Sequence, residues 1–303
     1  MQFNYLDSLK NEFKKYTGFT VSEKIRDQSN RAVLYLSASE SLCLPIEDPQ
    51  CPIIDAFSLI LQNKKFARYW KVFISNMCMC LKTDVFTGDG YRRIIRTLES
   101  VALDVDYDSG IKIIQFTTSC VGNKFLDLND FRCILSLSFG MCNSSLDLLK
   151  TASLAAVEQI INEFIEYIIQ EKDGIAEISL NEINKYFVDA FGKDIEMGNS
   201  LFKIAYLIIR DLAMICNGES TMWINDHKNS SLIAFEILNK VYMNYYDVFI
   251  KEKSFLNLIA YTLVGAEKTK AHVSFSVNCL YMFLEAIPEQ CKNHFIYFLN
   301  DLR

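Results

Sequence analysis

Apolar side chains recur along this chain at steps of three and four. Ile54, Phe57 and Leu61 form one such row, with Ser58 inside it, and Leu154, Val157, Ile161, Phe164 and Ile168 form another. That period gathers them on one stripe of an α-helix, the face that packs on a neighbour. Alternation with period two, the mark of a half-buried strand, is rare. The four prolines are Pro45, Pro49, Pro52 and Pro288. No proline stands between Pro52 and Pro288, so nothing of that kind interrupts a helix there.

Breaks fall between the periodic runs. "SNRAVLYLSASES" leads into the proline cluster, Gly88-Asp89-Gly90 reads as a turn before a helix, and Gly122-Asn123 as another. A long helix from "MCNSSLDLLK" runs towards Gly174, and later breaks are expected at "FGKDIEMGN", "CNGEST" and "VGAEKTK". The pattern predicts helices of roughly 12 to 25 residues joined by short loops, paired as hairpins. Successive hairpins of similar size without an exact repeat predict an all-α fold, an irregular armadillo- or HEAT-like solenoid. Glu171 to Ser179 is its softest stretch, dividing 1–174 from 175–303 within one continuous array.

Composition fits that picture. Half of the 303 residues are hydrophobic and 22% are charged, and stacked hairpins bury such an apolar fraction without a membrane. The net charge of −6 argues against a general affinity for nucleic acid. The most apolar run, "LFKIAYLIIRDLAMIC", is cut by Lys203, Arg210 and Asp211, short of the roughly 20 apolar residues a span needs. "MQFNYLDSLKNEFKKY" holds no apolar core of signal-peptide length, so a cytoplasmic protein is expected. The ten cysteines are scattered without a C-x-x-C pair, and His227, His272 and His294 are not spaced to join them around a metal. Buried thiols in a reducing compartment are the expectation, with no metal and no cofactor.

One stretch invites a sharper reading. "DVDYDSGIKIIQ" places Asp104, Asp106 and Asp108 at alternate positions, as a calcium loop does. However, the turn position holds Ser109, with Gly110 one place late, and the position of the bidentate glutamate holds Gln115. The expectation is a helix start, with Asp106, Asp108 and Ser109 able to cap free N–H groups. "WINDHKNSS" sets His227 beside Asp226 and Ser230, which reads as a loop and an N-cap near Ser231 rather than a catalytic group. No phosphate-cradling G-x-x-x-x-G-K-S/T motif is present, and no catalytic residue is expected. Arg92, Arg93 and Arg96 form a small basic cluster and are the candidate contacts to acidic groups on a partner or membrane.

A family resemblance begins at Lys112-Ile113-Ile114-Gln115. The stretch from Ile111 to Ile168 resembles the end of the DCB domain in large Arf guanine-nucleotide exchange factors and their non-catalytic relatives. After that first helix come Asn123, the apolar helix "LNDFRCILSLSFGM", and a helix carrying Thr151, Ala152, Gln159, Ile161 and Phe164. "LFKIAYLIIRDLAMICNGESTMWI" resembles the start of the following HUS domain. Trp223 and "IAFEILNKVYMNYYDVF" are similar to the Mon-two (monensin-sensitivity) branch, as are "LKNEFKK" and "SEKIRDQSNRAVLYL". The polar HUS signature of the catalytic relatives is not visible.

The resemblance implies a helical scaffold without an exchange domain, peripheral on trans-Golgi and endosomal membranes. It implies Arf or Arf-like small GTPases and Dopey-type scaffold proteins as partners, and a homodimer by analogy with the catalytic relatives. Two other readings stay open: a regulatory region of an Arf exchange factor, and an unrelated armadillo-like adaptor.

Overall fold

The computed structural model describes residues 2–18, 21–38, 45–121, 128–169, 200–224, 231–269 and 277. Among them the chain is all-α, as its periodicity predicts, and a lone parallel bridge between Ile46 and Phe86 is the only β pairing. By contact the chain divides into two compact units, Met1–Glu163 and Phe164–Arg303. The expected soft stretch at Glu171 to Ser179 lies outside the described residues.

The first unit contains α1 (Gln2–Lys14), α2 (Glu23–Ser37), α3 (Pro52–Leu61), α4 (Trp70–Lys82), α5 (Gly88–Val101), α6 (Tyr107–Val121), α7 (Leu128–Met141) and most of α8 (Asp147–Ile169). A short 3-10 turn, Lys64–Tyr69, leads into α4. Helix neighbours form two rows. One row runs α2, α3, α5, α7 and the other α1, α4, α6; α1 crosses to α2 and α6 crosses to α7. From α3 onwards successive helices alternate between the rows, which is the arrangement of stacked helical hairpins. At Gly110, α6 meets the start of α8: a Cβ there would stand 2.6 Å from Leu149 Cδ1.

The apolar stripe of α3 is core. Ile54, Phe57 and Leu61 are all buried, and Ser58 between them meets Thr97 of α5 through a 2.9 Å hydroxyl pair. That bond lets two polar residues sit in the interior without an orphaned group.

One local expectation is corrected. Gly88-Asp89-Gly90 does not form a turn ahead of a helix; α5 begins at Gly88 itself. Gly88 has φ 53°, which favours glycine, and the Gly90 N–H donates to the Glu47 carbonyl at 2.9 Å. A Cβ on Gly90 would stand 3.2 Å from the Ile46 and Glu47 carbonyl oxygens, so this glycine permits close backbone approach. Within "VGAEKTK" α11 (Lys253–Thr269) continues through Gly265 and ends at Thr269. One interior glycine costs only about 1 kcal/mol, and Ala266, Glu267 and Lys268 are strong helix formers.

The second unit holds α9 (Ser200–Cys216) against α10 (Ser231–Phe249) and α11, with α10 also touching α11. Every residue of α9 from Ile204 to Cys216 is buried. The helix stops where "CNGEST" predicts. Gly218, at φ 74°, lets the Glu219 N–H reach back to the Met214 carbonyl at 2.9 Å. Among the described residues no helix is long and apolar enough to cross a membrane.

Candidate functional site

The arginine cluster lies on α5, where successive side chains point about 100° apart and so meet different neighbours. Arg92 donates from Nε to Asp130 Oδ1 of α7 at 2.7 Å and from Nη1 to Asp89 Oδ1 at 2.9 Å. Arg93 pairs with Asp55 of α3 at 2.6 Å and also donates to the Pro49 carbonyl. Arg96 is exposed, and its charge acts on the nearby Cys133 thiol. Two of the three guanidinium groups therefore hold α5 to its own row, and Arg96 is the one presented to solvent.

The aspartates of "DVDYDSG" are likewise divided. Asp104 pairs with Lys64 at 2.8 Å, and Asp108 with Lys71 at the start of α4. Asp106 caps α6, accepting the Ser109 N–H at 2.8 Å. The three carboxylates serve three separate partners rather than converging on one cation. Among the described residues no group of three or more metal-binding side chains is assembled. His227, His272 and His294 lie outside the described residues.

Seven cysteines are described, all free and all but Cys133 buried. Cys78 and Cys80 project from α4 and Cys120 from α6, where the Tyr91 hydroxyl lies 3.4 Å from its sulfur. Burial pushes the Cys120 thiol up to about 11 and that of Cys80 up to about 12 from an ordinary 9.0. Burial likewise raises Cys133, although the Arg96 charge opposes it. Nucleophilic chemistry needs the thiolate, and the three buried thiols are held away from it.

Two outcomes follow for the thiols. Iodoacetamide at pH 8, read by peptide mass spectrometry, is expected to modify Cys133 about tenfold or more faster than Cys78, Cys80 or Cys120. Equal rates would mean that the α4–α6 seam opens freely. Stability also carries a sign. The unfolded chain releases these protons near 9.0 and the folded chain only near 11 to 12, so the folded state binds more protons in that window. Stability is therefore complete below about pH 9 and falls as pH rises. Between pH 8 and 10 the loss is on the order of 1 kcal/mol per buried thiol, measured by urea unfolding.

Sequence reasoning passed over one buried constellation. Arg210 and Asp211 served there only as interruptions of an apolar run, yet both are fully buried. Asp211 Oδ1 accepts Arg210 Nε at 2.9 Å and Nη2 at 2.7 Å, and Oδ2 accepts the Ile224 N–H at 2.7 Å and the Trp223 N–H. The signal was present: a charged pair set in thirteen consecutive apolar-rich positions must find partners inside. Its role is to clasp residues 221–224 onto α9.

Compared with models of known protein families and with curated proteins, the chain matches none.

Proposed function

We propose that this protein is a non-enzymatic helical scaffold of membrane traffic that binds an Arf-like small GTPase and large partner proteins. Its place would be the cytoplasmic face of trans-Golgi and endosomal membranes, held there through those partners. The observation that carries this reading is the placement of the polar residues in the family resemblance. Lys112 and Gln115 stand exposed on α6, and Thr151 and Gln159 stand exposed on α8. The start of α8 meets α6 at Gly110, and these side chains lie on the surface rather than in the core. Stacked hairpins favour the same reading, because such arrays bind through extended faces. Within the arginine cluster the recruiting role falls to Arg96, since Arg92 and Arg93 are engaged by Asp89, Asp130 and Asp55.

The test is binding of the full chain to a panel of Arf and Arf-like GTPases loaded with GDP or a non-hydrolysable GTP analogue, with nucleotide release followed in parallel. GTP-selective binding without faster release is expected. Replacing Lys112 and Gln159 together with glutamate should weaken it about tenfold, with an unchanged circular dichroism melt. Accelerated release would transfer the chain to the exchange-factor reading, and binding to no GTPase would leave an adaptor of another kind.

A further inference from the structure

Asn217 is followed by Gly218, and no other asparagine of the 303 residues precedes a glycine. At such a junction the side-chain amide is open to attack by its own backbone. The Gly218 nitrogen adds to Asn217 Cγ, the Cγ–Nδ2 bond breaks, and ammonia leaves with the proton that the Gly218 N–H gives up. Water then opens the cyclic imide at either carbonyl, which yields aspartate or isoaspartate. The sum is amide plus water to acid plus ammonia, with nothing oxidised or reduced. Glycine favours the first step because no Cβ hinders the approach of its nitrogen.

The folded chain engages each reacting atom elsewhere. The Asn217 N–H donates to the Ala213 and Met214 carbonyls at 3.2 and 3.1 Å, and the Gly218 N–H donates to the Ile215 carbonyl at 3.0 Å. The attacking nitrogen is therefore tied into the last turn of α9. The leaving nitrogen is tied to the neighbouring helix, since Asn217 Nδ2 donates to the Tyr261 carbonyl of α11 at 3.1 Å. Asn217 Oδ1 must carry the negative charge of the tetrahedral intermediate, yet it is buried and accepts no hydrogen bond among the described residues. An oxyanion formed there without donors faces a high barrier. Water is close at hand, because Gly218 is exposed and no atom stands within 4 Å of the place a Cβ would take. The reaction thus waits on local opening of the α9 terminus.

The product does not fit back. Aspartate at 217 has no side-chain N–H for the Tyr261 carbonyl and sets a carboxylate oxygen against it. Its charge falls at the C-terminal end of α9, where the helix dipole is already negative, two residues before Glu219. Isoaspartate lengthens the backbone by a methylene at the turn that Gly218 makes with φ 74°. Either product favours the open form, and the ammonia is not recovered.

We infer that Asn217-Gly218 is a modification site, a deamidating junction that the α9–α11 contact holds closed and whose acidic product releases that contact irreversibly. The junction is a one-way switch set by the time that the α9 terminus spends open. This goes beyond the GTPase reading and does not depend on it.

Peptide mass spectrometry of the full chain kept at pH 8 tests the protection, with isoaspartate read by methyltransferase labelling. Deamidation at Asn217 is expected to run about tenfold or more slower in buffer than in concentrated guanidinium chloride. The release is tested with the product itself. Asn217→Asp should lower the urea midpoint and speed amide exchange over 258–263 more than Asn217→Ala, which removes the same hydrogen bond without adding charge. Equal rates in the folded and unfolded chain overturn the proposal, as does an unfolded chain that keeps its amide. So does an Asn217→Asp chain whose midpoint and exchange match those of Asn217→Ala or of the unaltered chain.

Discussion

Asp211→Ala is expected to remove about 3–5 kcal/mol of stability, the range for breaking a buried ion pair from one side. The carboxylate satisfies four donors at once, two from the Arg210 guanidinium and the backbone N–H groups of Trp223 and Ile224. Alanine removes every one of those acceptors in a region where neither Arg210 nor Asp211 is reached by solvent. The guanidinium then loses its carboxylate inside an apolar helix, which costs far more than the pair contributes over an apolar replacement. Each backbone N–H left without an acceptor adds about 1–3 kcal/mol. Asp211→Asn is the gentler probe: one oxygen remains, but the amide turns two hydrogens towards groups that are themselves donors.

The decisive variant is the double replacement Arg210→Met with Asp211→Leu. If charge burial is the dominant cost, the double variant loses clearly less than the sum of the two single variants. Urea unfolding followed by Trp223 fluorescence in a Trp70→Phe background reads this directly, because Trp223 is the residue clasped. A loss below about 1 kcal/mol for Asp211→Ala would mean that water replaces the carboxylate, and the clasp would not hold the segment.

Much of the helical layout is legible because burial and period express the same constraint. Ile54, Phe57 and Leu61 are spaced for one face, and that face is interior. Asp106 marks the start of α6 because a short carboxylate ahead of an apolar run has one favourable use, the orphan N–H groups of the first turn. Glycine misled at α5. Gly90 lies inside α5 because the Ile46–Glu47 backbone leaves no room for a Cβ, and that neighbour is more than forty residues away in sequence. Gly265 stays helical because surrounding residues outweigh a cost of about 1 kcal/mol.

The arginine cluster shows the same limit in charge. Arg92 and Arg93 are adjacent in sequence, yet one turns to Asp130 and the other to Asp55. Neither pairing is visible in a string of letters, since each links helices brought together only by folding. Exposed leucines were hidden differently. Leu103, Leu146 and Leu148 sit beside turns, where a leucine reads as the edge of a stripe, and nothing in its letter says that it stays outside the core.

Phe73→Ala is expected to cost about 3–5 kcal/mol, as buried phenylalanine truncations do. The ring is fully buried on α4 where α1 and α3 converge. Phe13 of α1 meets it edge-on at 4.8 Å, Phe57 of α3 stacks on it at 5.3 Å, and Tyr16 lies 6.0 Å away. Alanine therefore forfeits the transfer energy of the ring and leaves a cavity whose walls belong to three helices, none of which can collapse inwards alone. Each aromatic pair adds about 0.5–1.5 kcal/mol beyond area, so Phe73→Leu should recover only part of the loss. Val72 is the matched control: it is the preceding residue, 46% exposed, and Val72→Ala should fall within about 0.5 kcal/mol. Urea unfolding read by Trp70, in the same helix, measures all three variants. Should Phe73→Ala and Val72→Ala cost the same, the three helices would not share a packed centre.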